Sequence, residues 1–163
     1  MLSLVKNIVQ YSRIYSRHFS FGLLGPRKLD ELTNLPLLKV EDGKTVEKIW
    51  SEFHNEQENA LGVSLSKDKC NQLLHRAGES PMFLYPVFKE EKYFMLISQF
   101  QDSYFFSTYL ENYKQNPSTA SPFLSCSIFQ DFEEKKGVSL LRVDFLPEYI
   151  PKQVWMNSQK SIG

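Results

Sequence analysis

The chain has 163 residues, 42% hydrophobic and 23% charged, the composition of one ordinary globular domain and not of a disordered or fibrous chain. No apolar run reaches the roughly 18–20 residues that a membrane-crossing helix needs, so no membrane span is expected. The net charge of zero hides an asymmetry: all 19 acidic residues follow Leu29, and loss of residues 1–19 leaves a body of net charge −3, a poor polyphosphate binder.

The opening, MLSLVKNIVQYSRIYSRHFSFG, is acid-free and carries Lys6, Arg13 and Arg17 spaced among Leu2, Val5, Ile8 and Val9 at helical intervals. Lys6 and Asn7 interrupt the apolar core a secretory signal would need, and the pattern is that of a mitochondrial transit peptide over residues 1–19. Two Arg-x-aromatic-Ser steps, Arg13 to Ser16 and Arg17 to Ser20, resemble matrix-protease sites and put the new terminus at Ser16 or Ser20.

Residues 20–43, with Gly22, Gly25, Pro26 and Pro36, read as an irregular lead-in. Thr45 then caps an amphipathic helix to about Gln57, with Val46, Ile49, Trp50 and Phe53 on one side. In a second helix, Ser66 caps, Cys70, Leu73, Leu74 and Ala77 form the stripe, and Gly78 and Pro81 stop it. The period next changes to two. Met82–Phe88, Tyr93–Gln101 and Tyr104–Tyr109 read as hairpin-linked strands, with Pro86 placing the first at an edge or bulge. Both faces of the middle run are apolar, so helices must cover the second face or a partner must use it. A short helix at Leu110–Gln115, a loop at Ser118–Pro122 and strands at Phe123–Phe129 and Val138–Phe145 complete a domain over 44–145. The tail, 146–163, has one apolar spot, Val154-Trp155-Met156. The predicted class is α+β: a mainly antiparallel sheet of about five strands with two N-terminal amphipathic helices packed on it.

Chemistry is not advertised. The chain lacks a GxxxxGK[ST] loop, a GxGxxG turn, HExxH and GxSxG. His18, His54 and His75 are too dispersed to suggest three metal ligands, and Cys70 and Cys126 have no CxxC spacing. Cys70 lies on an apolar stripe, where a core thiol is the expected role. No catalytic residue, metal or cofactor is therefore expected, and the chain does not read as an enzyme. Gln99 and Gln101 share one strand face, either as hydrogen-bonded sheet residues or as contacts to a partner. The surplus of strand aromatics fits a core or a protein interface.

Seven phrases occur in order along the chain: KLDEL (28–32), IWSEFH (49–54), PMFLYP (81–86), SQFQ (98–101), FSTYLENYK (106–114), ASP (120–122) and KGVSLLR (136–142). Together these resemble the ATP11 family of mitochondrial ATP synthase F1 assembly factors, over about residues 28–144. The chain departs from the family at Ile128-Phe129, where His-Tyr is usual, at Val143, where Gly is usual, and in its shorter tail. The resemblance implies a non-enzymatic chaperone of the mitochondrial matrix, monomeric, that holds the unassembled F1-ATPase beta subunit until an alpha subunit docks. With both faces of the middle strand apolar and the matched phrases concentrated there, Gln99, Phe100, Gln101, Phe106 and Tyr109 become the expected client-facing surface. The alternative is a mitochondrial nucleic-acid-binding module stacking bases on strand aromatics, but residues 93–109 contain no Lys or Arg to hold a phosphate backbone.

Overall fold

The computed structural model describes residues 26–89, 91–117 and 120–146. The expected transit segment and the Val154-Trp155-Met156 spot lie outside the described residues. Among those described, six strands form an antiparallel sheet: β1 (Ala60–Ser66), β2 (Met82–Lys89), β3 (Lys92–Gln101), β4 (Tyr104–Tyr109), β5 (Leu124–Phe129) and β6 (Val138–Phe145). Their spatial order is β1-β6-β5-β4-β3-β2. The helices are α1 (Leu29–Leu32), α2 (Leu35–Val40), α3 (Gly43–Asn55), α4 (Lys67–Glu79), α5 (Leu110–Gln115) and α6 (Glu133–Lys136). The α+β class holds, with one strand more than expected, β1.

Helix α3 buries the predicted stripe of Val46, Ile49, Trp50 and Phe53. Its cap is Asp42 and not Thr45: the carboxylate accepts from the Thr45 N–H at 3.0 Å and from the Thr45 hydroxyl at 2.9 Å. The Trp50 indole donates to the Leu141 carbonyl at 3.0 Å, which fixes α3 to β6. The lead-in is not irregular. Asn34 accepts from the Leu37 N–H, and Pro36, counted among the residues of an irregular lead-in, sits in the first turn of α2, where its missing N–H costs nothing. Leu29, Leu32 and Leu38 from α1 and α2 then join Val46, Ile49, Trp50, Phe129, Val138 and Leu140 in one core cluster.

Strands β1 and β2 occupy opposite edges, so α4, which joins them, must cross a whole face. Its 13 residues span about 20 Å, the width required. Cys70, Leu73, Leu74 and Ala77 pack there against Leu65, Leu141, Ile128, Phe105 and Phe100, one residue from each strand from β1 to β3. Ser66 holds the cap position without a side-chain cap bond, and Gly78 lies inside the last turn instead of ending it. The left-handed glycine is Gly137, at φ 69°, closing α6.

Candidate functional site

Strand pairing sorts the side chains into two faces. Gly62 pairs with Arg142, Arg142 with Ser127, Ser127 with Tyr104 and Tyr104 with Gln101, and this row faces α3. The next row on that face is Ser125, Phe106, Gln99 and Met82. Of the five residues expected to form one surface, Gln99, Gln101 and Phe106 therefore share the α3 face. Phe100 and Tyr109 point to the other. Phe100 packs on Phe105 with ring centroids 4.7 Å apart, and Tyr109 packs on Phe123 at 4.4 Å. The sheet's alternation brings three of the five together and separates two.

The three have apolar company. On β2, Met82, Leu84 and Phe88 share their face by alternation and are 45%, 53% and 39% exposed, and Tyr93 beside them on β3 is 65% exposed. Partly buried Met95, Ile97 and Phe106 continue the surface inward. The sequence pattern marks both faces of β3 as apolar, but Met82 and Leu84 on β2 were not among the expected surface residues. Their signal was available: a helix-free apolar alternation on a strand marked as an edge by proline.

Strand β2 has β3 on one side only. The Phe100 N–H donates to the Pro81 carbonyl at 2.7 Å, and antiparallel alternation then directs Phe83, Tyr85 and Val87 toward β3 and Met82, Leu84 and Phe88 outward. Pro86 falls in the outward set, so its missing N–H removes no ladder bond. An edge with outward backbone groups and exposed apolar side chains is the arrangement that accepts another chain.

The β1–β6 end of the same face is closed by a buried polar chain. Asp144 accepts from Arg142 Nε at 2.9 Å and Nη2 at 2.8 Å, and pairs with Arg27 at 3.4 Å. His54 Nδ1 lies 2.8 Å from the Trp50 carbonyl, which can only accept, so Nδ1 carries the proton and Nε2 accepts from Arg142 at 3.1 Å. These groups are occupied with each other and tie the lead-in to the sheet. Burial, foremost, pushes the Cys126 thiol up to about 12 and raises that of Cys70, so both remain protonated and unreactive at neutral pH. Among the described residues no cluster of three His, Cys, Asp or Glu is placed to hold a metal ion, and no helix is long and apolar enough to cross a membrane. What this arrangement can do is bind apolar surface.

The model of the ATP11 protein family matches residues 23–152. The ATP synthase mitochondrial F1 complex assembly factor 1 of Mus musculus is 21% identical over 125 residues, a match covering 77% of this chain and 38% of that protein. Its Homo sapiens counterpart is 20% identical over 123 residues, covering 76% and 37%. The chain thus matches well under half the length of these relatives. With the family match running through the lead-in, both long helices and all six strands, the chain belongs to the ATP11 protein family.

Proposed function

We propose that this protein is a non-catalytic assembly factor of the mitochondrial matrix that holds an unassembled F1 subunit, the beta subunit, until the alpha subunit replaces it. The observation that carries this reading is the exposed apolar surface of Met82, Leu84, Phe88 and Tyr93 beside Gln99 and Gln101 on the α3 face. A subunit awaiting its neighbour exposes apolar area that aggregates, and a sheet edge with apolar side chains can cover it reversibly. The two curated relatives are named as F1 complex assembly factors, which supports the same reading. Residues 1–19 serve in this account as the import signal, removed at Ser16 or Ser20, and the processed protein acts as a monomer.

The test is co-precipitation of unassembled beta subunit with wild type, with Leu84→Asp, and with Gln99→Ala combined with Gln101→Ala. Leu84 is 53% exposed and both amides lie on the sheet surface, so the variants should fold. Both should capture less beta subunit at unchanged melting temperature. Full capture by both variants would contradict the assignment of this surface.

A further inference from the structure

The opposite face of the sheet carries a groove that the assembly reading does not use. It runs alongside α4 from Phe83 on β2 to Val143 on β6, with Leu73 and Ala77 of the helix as one wall. Four strand spacings give it a length of about 19 Å. Its volume, about 540 Å³, lies in the range of small-molecule sites. That size and length suit a thin, extended ligand.

The lining sets the ligand's chemistry. Three hydroxyls lie in the floor, bonded in a chain: Tyr85 donates to Ser107 Oγ at 3.1 Å, Ser107 to Ser98 Oγ at 2.8 Å, and Ser98 to the Phe106 carbonyl at 3.5 Å. An apolar occupant would therefore strand no buried donor there. The Tyr85 phenol is pushed up to about 12, mainly by burial, and the Cys126 thiol beside it is likewise neutral, so the floor carries no charge. Arg76 is the one charged side chain in the lining, and it is exposed where the groove meets solvent. It forms no ion pair among the described residues.

We propose that this groove binds a free monocarboxylate with an unbranched apolar chain, the chain lying along the sheet and the carboxylate on Arg76. The experiment titrates the full chain with decanoate, and separately with decanol, following heat of binding and melting temperature. Decanoate should saturate at one equivalent and raise the melting temperature. Decanol should bind about tenfold more weakly, as expected for loss of one charge-assisted contact. Arg76→Gln should remove the difference between the two, and Arg76→Lys should restore part of it. Equal affinity for decanoate and decanol in the wild type would overturn the charge assignment, and so would Arg76→Gln leaving decanoate binding unchanged. Failure to bind either probe would overturn the site. So would protection of Leu73–Ser80 from hydrogen exchange by unassembled beta subunit in the absence of any decanoate binding, because the groove would then hold protein.

Discussion

A methyl group added at Gly62 tests the packing of α3 on the sheet. An ideal Cβ there would sit 2.5 Å from both Cγ and Nδ1 of His54, and 2.9 Å from its Cβ, which is closer than packed atoms approach. The imidazole cannot step aside freely. It is 1% exposed, packed at a tilt against Trp50 with centroids 4.1 Å apart, and bonded to the Trp50 carbonyl and Arg142. Overpacking of this kind costs about 1–3 kcal/mol. Displacing the ring also breaks a hydrogen bond from a buried guanidinium, about 1.5–3 kcal/mol. Gly62→Ala should therefore cost about 3 kcal/mol, which lowers the melting temperature by roughly 6–12 °C in a domain of this size. Thermal unfolding followed by circular dichroism reads this directly. His54→Ala should also destabilise the protein, and adding Gly62→Ala to it should cost little more, since the clash is gone. An unchanged melting temperature in Gly62→Ala, or strict additivity in the double variant, would refute the proposed contact.

Three further outcomes follow from other positions. Trp50→Ala removes a 2% exposed ring and the donor to the Leu141 carbonyl, and should cost about 3–5 kcal/mol in denaturant unfolding. Asp42→Ala removes the α3 cap and should lower the unfolding midpoint in the same measurement, by less than Trp50→Ala does. Burial of Glu133 works to raise its carboxyl, but hydrogen bonds from Ser139, Cys70 and Gln130 together outweigh it and hold the carboxyl below its ordinary 4.5. Its contribution is therefore complete above pH 4.5 and is lost as the pH falls through the lower folded value. Glu133→Gln should lower stability at neutral pH and flatten the acid limb of the stability profile.

The fold was legible where one element carried its own pattern. The four-residue stripe of α3 and the limits of β4, α5 and β6 stand in the chain as spacing and punctuation. Strand β1 was legible too, since Leu61, Val63 and Leu65 alternate with Gly62, Ser64 and Ser66, and it was passed over between two stronger helical patterns; only the need for Gly62 beneath His54 is a contact made after folding. The short α1 and α2 gain stability from Leu29, Leu32 and Leu38 entering a core that sequence spacing cannot see. Gly78 looked like a helix stop, yet the helix continues through it to Glu79, because Ala77 is anchored in the sheet cluster. For the site, alternation along β3 was readable, but the pairing that sets Gln99 opposite both Phe106 and Met82 was not. Likewise the groove is assembled from α4 and five strands, and no local window contains it.

The proposed role of this chain is to keep an unassembled F1 subunit soluble. Its direct test is the light scattering of beta subunit diluted from denaturant, alone and with equimolar processed protein, followed by addition of alpha subunit. Scattering should be suppressed with no nucleotide consumed, and the chain should be released when alpha subunit arrives. Scattering that rises as fast with the protein as without it would contradict that role.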